Sequence, residues 1–146
     1  MAGVCTPVSV VTTLDGKRPH GTTVSAFASL SMEPPMVLIA LDRESNLLRV
    51  LRRSGRFGLN VLGVQQTACA NAFARKGDDK FTGIDWIEDS GVPRIADVPG
   101  WLACEVEDLV SGGDHVVAFG RVRAARTAPG APLTYHQRGF GTHSAL

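Results

Sequence analysis

The stretch GTTVSAFASLSMEPP, residues 21–35, decides how the rest of the chain is interpreted. It opens with a glycine and two threonines, repeats hydroxyls at Ser25, Ser29 and Ser31, and stops at two prolines. Such a run predicts a strand, although an unusually polar one. Small hydroxyl side chains let a ligand lie close to the backbone, where N–H groups and hydroxyls can donate to ring carbonyls or phosphate oxygens. The alternative interpretation is a solvated strand edge and turn.

The segments around this stretch also predict strands. Residues 7–13, PVSVVTT, are rich in β-branched side chains and end at a glycine-containing turn, which predicts a hairpin into residues 21–35. Residues 36–41, MVLIAL, are apolar on both faces, which is typical of a central strand covered on both sides. Further strands are predicted at residues 57–62, 101–110, 115–126 and 133–135.

Two short helices are predicted in the first half of the chain. Ser45 is a good N-cap, leucines then recur at helical spacing, and Gly55 suits the position after the helix. Residues 67–75 predict a second helix, and residues 77–100 a loop-rich region with one or two very short strands. Six or seven strands with so few helices predict one mainly β domain, residues 1–146, folded as a closed antiparallel barrel with helical insertions. The exposed edges of such a barrel favour a homodimer.

Composition narrows the possible partners. The chain of 146 residues carries a formal charge of +1, so it lacks the basic surface of a nucleic-acid-binding protein. Its N-terminus shows no signal-peptide pattern and no apolar run is long enough to span a membrane, so we expect a cytoplasmic protein without membrane contact. The three cysteines are widely spaced and predict free thiols.

Familiar catalytic motifs are missing, and three polar spots remain. No dinucleotide fingerprint, phosphate loop or nucleophile elbow occurs, and neither a metal site nor a Cys/His pair is indicated by spacing. Besides residues 21–35, the cluster DRESN at residues 42–46 precedes a helix, where a phosphate or a simple helix cap would fit equally well. The turn at residues 113–115 delivers His115 to a long strand, either as a site residue or as an exposed turn residue.

In their order along the chain, these segments resemble the flavin reductase-like family. The resemblance rests on PVSVVTT, GTTVSAFASLSMEPP, DRES, SGRFGLNVL, DKFTG, GDHVVAFGRV and PLTY, which together cover nearly the whole chain. It implies a mainly β, split β-barrel, FMN-binding fold of Greek-key type with two or three short helices. It also implies a homodimer that uses NADH or NADPH to reduce FMN or FAD, and a flavin-dependent monooxygenase as the partner that receives reduced flavin.

The resemblance also implies a set of site residues. Residues 22–30 would line the isoalloxazine ring, residues 40–46 would hold the ribityl phosphate region, Phe81 would pack near the flavin, His115 would stand where the nicotinamide stacks, and Tyr135 would close the site. His115 is the expected catalytic residue. The expected cofactor-binding residues are Thr22, Thr23, Val24, Ser25, Ala26, Ser29, Leu30, Ser31, Leu41, Asp42, Ser45, Asn46, Phe81, Gly83, His115 and Tyr135.

The physical requirements of flavin chemistry agree with this set. Isoalloxazine has a polar edge and an apolar edge, so its site needs backbone donors, hydroxyls and an apolar wall, but hydride transfer needs no catalytic dyad. Ala26 stands where the family commonly has a second serine. Two alternatives remain open: a split-barrel flavoprotein that keeps its flavin and acts directly on a small substrate, and a non-enzymatic carrier of flavin or haem.

Overall fold

The computed structural model describes all 146 residues and is dominated by antiparallel strands. The strands are β1 (Thr6–Pro7), β2 (Ser9–Asp15), β3 (Arg18–Val24), β4 (Phe27–Met32), β5 (Pro35–Asp42), β6 (Arg56–Val61), β7 (Trp86–Asp89), β8 (Val92–Ile95), β9 (Gly100–Gly112), β10 (His115–Thr127), β11 (Leu133–His136) and β12 (Gly139–Thr142). The helices are α1 (Asn46–Ser54) and α2 (Thr67–Ala74), and a short 3-10 turn, Val64–Gln66, precedes α2. The mainly β architecture with short helices agrees with the prediction.

One seven-stranded sheet forms most of the molecule. Its strand order is β3-β2-β6-β9-β10-β5-β4, and every pair in it is antiparallel. The strands β3 and β4 follow each other in the chain but lie at opposite edges of this sheet and do not pair. The prediction of a fully closed barrel is therefore wrong, because the hydrogen-bond ladder stops at a seam between β3 and β4.

The pattern of residues 21–35 predicted one strand, but the structure divides this stretch between two strands. Its first part ends β3 at Val24, which pairs with Ser9 of β2, and its second part forms β4, which pairs with β5. Two hairpins with different partners each take half of the stretch, so the chain must cross the seam at Ser25 and Ala26. The Ala26 carbonyl accepts a hydrogen bond from the Ala40 N–H (2.9 Å), which fixes this crossing to the end of β5.

Strand β5 lies next to the edge strand β4. The prediction that residues 36–41 form a central strand covered on both faces is therefore wrong. Its side chains alternate: Val37, Ile39 and Leu41 are buried, whereas the residues between them are only half-buried. Only one face of β5 meets the hydrophobic core. The apolar run in the sequence therefore marks one buried face and one partly open face.

Two clusters of buried side chains form the core. One cluster packs α1 against β2, β5, β6 and β10, and the other packs α2 against β8 and the start of β9. Helix α1 begins and ends as predicted: the Ser45 hydroxyl accepts from the Leu48 N–H (3.4 Å), and Gly55 adopts φ 68° at the C-terminal end. This capping holds the N-terminus of α1 beside the end of β5.

Two smaller sheets contain the strands that the sequence pattern predicted least completely. Within residues 77–100, where one or two very short strands were predicted, β7 and β8 pair as an antiparallel hairpin. β12 was not predicted; it pairs with β11, and β11 also pairs with β1, so a three-stranded sheet joins both ends of the chain. The turn before β12 uses left-handed conformations at Gln137 and Arg138, which have φ 49° and 64°.

Candidate active site

A cavity of about 680 Å³ lies beside the edge strand β3. Its walls are β3 with the Ser25-Ala26 crossing, the end of β5, the N-terminus of α1, residues 74–81 and the first residue of β10. Eleven of the sixteen expected binding residues line it: Thr22, Thr23, Val24, Ser25, Ala26, Leu41, Asp42, Ser45, Asn46, Phe81 and His115. Four parts of the chain that are far apart in sequence, residues 22–26, residues 41–46, Phe81 and His115, therefore meet around one cavity.

The edge strand β3 provides a polar wall. An edge strand leaves every second backbone N–H and C=O outside the ladder, so these groups are free for a ligand or a side chain. The Thr22, Thr23 and Ser25 side chains add hydroxyls. The Thr23 hydroxyl already donates to the Ala70 carbonyl of α2 (2.7 Å), so it contributes mainly as an acceptor and as an anchor between β3 and α2.

The N-terminus of α1 forms the end of the cavity that suits an anion. Ser45 and Asn46 line this end, and the first turn of a helix has backbone N–H groups without intrahelical partners. The Asp42 carboxylate accepts from the Glu44 N–H (2.8 Å), which fixes the bend between β5 and the helix. Backbone donors, a hydroxyl and the helix dipole are a suitable set for a phosphate group.

His115 lies at the mouth of the cavity, opposite Asp42 in the β5–β10 ladder. Its Nδ1 is 2.8 Å from an Asp114 carboxylate oxygen, and 43% of its side chain is exposed. This hydrogen bond holds the pKa of Asp114 below its usual range. A carboxylate on Nδ1 orients the imidazole and leaves Nε2 for a ligand.

Lys80 and His20 line the cavity although the sequence analysis did not assign them to the site. The Lys80 ammonium donates to the carbonyls of Gly21 (3.3 Å) and Phe73 (3.1 Å), and burial lowers its pKa. The His20 Nε2 atom is buried without a hydrogen-bond partner, and burial, followed by the charge of Arg18, lowers the pKa of this imidazole. The only signal for Lys80 was its position directly before Phe81.

Phe81 supplies the apolar wall and is itself held by aromatic neighbours. Its ring centroid lies 4.8 Å from that of Phe73 and 5.6 Å from that of Trp86, both in edge-to-face geometry. The closeness of this packing explains Gly21: a Cβ built there would stand 2.8 Å from the Phe73 ring and 3.3 Å from Phe81. The glycine before Thr22 therefore allows the aromatic wall to approach β3.

Five expected binding residues lie outside this cavity in the single chain, so their part in binding stays a prediction. Ser29, Leu30 and Ser31 belong to β4, which the crossing carries to the opposite sheet edge. Gly83 lies past the turn after Phe81, with φ 75° and open space around it. Tyr135 belongs to the three-stranded sheet, where its ring packs edge-to-face on Phe140 with centroids 5.3 Å apart.

The residues around the cavity fit a flavin. The hydroxyls and free backbone groups of β3 match the polar edge of isoalloxazine, whereas Val24, Leu41 and Phe81 offer an apolar wall. The Thr22 and Ser25 hydroxyls line the cavity and make no hydrogen bond to another protein group, so this wall has hydrogen-bonding capacity for a ligand. No group of three or more His, Cys, Asp or Glu side chains is arranged to hold a metal ion.

Comparisons with known proteins agree with this fit. The flavin reductase like domain family matches residues 1–144. The reductase subunit HsaB of a flavin-dependent monooxygenase from Rhodococcus jostii is 41% identical over 119 residues, which are 81% of this chain and 61% of that protein. Nitrilotriacetate monooxygenase component B from Mycobacterium thermoresistibile is 33% identical with a TM-score of 0.94, over 98% of this chain and 82% of that one. A Streptomyces globisporus NADH:FAD oxidoreductase in complex with NAD and FAD fragments is 32% identical, has a TM-score of 0.92, and matches over 98% and 88% of the two chains.

The chain belongs to the flavin reductase-like domain family, as its sequence predicted. The split-barrel fold class is confirmed as well, because the fold agrees closely with that of a solved relative at 33% identity. The chain spans only 45% of a Rhizobium meliloti relative and 61% of the HsaB subunit. None of its helices combines the length and the apolar character needed to cross a membrane.

Proposed function

We propose that this protein reduces FMN or FAD with NADH or NADPH and supplies the reduced flavin to a flavin-dependent monooxygenase. The observation that carries the proposal is the meeting of three segments at one cavity: the hydroxyl-bearing edge of β3, the N-terminus of α1, and His115. Each segment offers what one part of a flavin and nicotinamide pair requires. The family to which the chain belongs supports the same activity.

When bound, the flavin supplies the redox chemistry by accepting two electrons and a proton, as a hydride, from the reduced nicotinamide. The chain's task is to bind and orient the two rings. The edge of β3 holds the polar edge of isoalloxazine, and Phe81 covers its apolar part. Ser45 and the first turn of α1 hold the phosphate, and the imidazole of His115, oriented by Asp114, positions the nicotinamide at the mouth of the cavity. The binding set that we propose for one copy of the chain comprises the eleven expected residues that line the cavity.

The proposed assembly is a homodimer that exchanges flavin with a separate oxygenase. Strand β4 is an edge strand that pairs with β5 on one side only, and its Leu30 and Met32 side chains are exposed. The outer face of β5 is only half-buried in one copy of the chain. Apolar side chains on an open edge favour burial against a second copy. The relatives named as reductase components support a partner oxygenase. The cytoplasmic location expected from the sequence stays a prediction.

The direct test is oxidation of NADH and of NADPH by the purified protein, followed by loss of absorbance with FMN, FAD or no added flavin. We expect turnover that requires added flavin and rises with its concentration. The absence of flavin-dependent turnover with either nucleotide would overturn the proposal. Retention of flavin through purification with no turnover of added flavin would instead support the flavoprotein alternative.

A further inference from the structure

Lys80 is held in the cavity wall by backbone carbonyls and has no direct ion-pair partner. Two of its three N–H donors are used by the Gly21 and Phe73 carbonyls, at 3.3 and 3.1 Å. No carboxylate lies within ion-pair distance of its ammonium, although acidic side chains pair with several arginines elsewhere. Asp78, which lines the same cavity, makes no ion pair with Lys80 but partly offsets its charge. One N–H donor of Lys80 is left for a ligand.

The environment of Lys80 makes this charge effective. The other lysine and the arginine that line the cavity, Lys76 and Arg75, are exposed, so solvent and salt screen their charges. Lys80 is half-buried, and its two carbonyl contacts tie it to β3 and to the end of α2. A cation that is fixed and partly desolvated before the reaction stabilises negative charge more strongly than a mobile one in water.

The position of Lys80 separates it from the expected phosphate site. Gly21 and Thr23 face α2, because a Cβ at Gly21 would meet Phe73 and the Thr23 hydroxyl bonds to Ala70. Val24, on the other face of β3, packs in the same core cluster as the leucines of α1. Lys80 thus lies on the α2 side of β3, beside the residue that precedes Thr22, whereas the N-terminus of α1 lies on the opposite side.

We propose that Lys80 is the residue that stabilises the negative charge of the reduced isoalloxazine ring, and so raises the affinity of the site for reduced flavin relative to oxidised flavin. This inference rests on the proposed function. Hydride transfer converts the neutral oxidised ring into a ring with one added negative charge and converts the reduced nicotinamide into its oxidised cation. The Lys80 N–H that the protein leaves free is the donor for this charge, and the phosphate stays a separate contact at Ser45.

The test measures dissociation constants of oxidised and of anaerobically reduced flavin for wild type, Lys80→Met, Lys80→Arg and Lys17→Met. Lys17 is exposed in the β2–β3 turn and outside the cavity, so Lys17→Met is the matched control for loss of one lysine charge. Both riboflavin, which lacks the phosphate, and FMN are used as probes. We expect Lys80→Met to lower the preference for the reduced form roughly ten- to a hundredfold with both probes. Lys80→Arg should keep most of the preference, and Lys17→Met all of it.

Three outcomes would overturn the inference. An unchanged ratio of the two dissociation constants in Lys80→Met would remove Lys80 from the ring. A loss of affinity in Lys80→Met that is confined to FMN would assign Lys80 to the phosphate. An equal loss of affinity for oxidised and reduced flavin, together with lower stability, would mean that Lys80 only links β3 to α2. Turnover of NADH or NADPH by wild type is measured separately. A lack of turnover with an intact Lys80 effect would overturn the proposed function alone, whereas wild type that binds neither form of flavin would overturn both.

Discussion

Replacing Gly21 by alanine tests the close approach of the aromatic wall to β3. The added methyl group would lie 2.8 and 2.9 Å from two carbons of the Phe73 ring and 3.3 Å from Phe81. Phe73 is fully buried between α2 and β3, so its ring cannot turn away into solvent. Something in this packing must shift. We expect the free energy of unfolding to fall by about 1–3 kcal/mol, as for other overpacked cores.

The assay is urea unfolding followed by the fluorescence of Trp86 and Trp101, together with thermal unfolding. A loss of this size in a chain of this length lowers Tm by roughly 3–10 °C. Gly112→Ala is the matched control, because a Cβ at Gly112 meets nothing within 4 Å. Its effect should stay within about 0.5 kcal/mol.

A double-mutant cycle identifies the cause of the loss. Phe73→Leu shortens the side chain that the new methyl group would strike, so Gly21→Ala should cost less in that background, with a coupling of about 0.5–3 kcal/mol. If Gly21→Ala were as stable as Gly112→Ala, or if Phe73→Leu gave no relief, the packing explanation of Gly21 would be refuted. Because the same methyl group presses on Phe81, we also expect weaker flavin binding in Gly21→Ala.

Three further predictions concern single side chains. His115→Ala should slow reduction of bound flavin or weaken nucleotide binding by roughly tenfold, while Tm stays within a few degrees of wild type. The control is His143→Ala, because His143 lies in the exposed tail. Equal rates and affinities in the two variants would remove His115 from the site. Asp89 pairs with Arg94 (2.9 Å) and Arg126 (2.8 Å), and the hydrogen bond from Arg126 lowers the pKa of Asp89. This pairing stabilises the fold above the unfolded-state pKa and is lost as pH falls through the lowered folded-state pKa. Asp89→Asn should therefore destabilise the protein at pH 7 and cease to differ from wild type in strong acid; a constant difference in urea midpoint across pH would contradict this. Thiol labelling at pH 8 should modify Cys5 alone, because burial raises the pKa of Cys69 to about 11 and of Cys104 to about 12, and fast labelling of two or more thiols in the folded protein would contradict their burial.

Local signals predicted the elements that depend on local chemistry. The capped helix α1 followed from Ser45 and Gly55, and the long strands β9 and β10 from their alternation, because caps and periodicity act over a few residues. The division of residues 21–35 into two strands could not be predicted in this way. It depends on which distant strand each half pairs with, and one sequence pattern fits both pairings.

The site shows the same limit. Thr22, Asp42 and Ser45 could be expected because the hydroxyl run and the helix N-terminus are visible in the sequence. The part played by Lys80 was hidden, since the carbonyls that hold it belong to Gly21 and Phe73, on two other elements. Tyr135 was placed by resemblance alone, and its sheet position follows from pairing with Thr6 at the other end of the chain.

The seam between β3 and β4 has a consequence for how fast the site can exchange its contents. Because no ladder hydrogen bonds cross the seam, the edge of β3 that lines the cavity can move without breaking any pairing with β4. Amide hydrogen exchange should therefore be faster at the free edge of β3 than in β9, which is paired on both sides. A site beside an unpaired strand edge could exchange its contents while the folded core stays intact, which the proposed delivery of reduced flavin to a separate oxygenase would require.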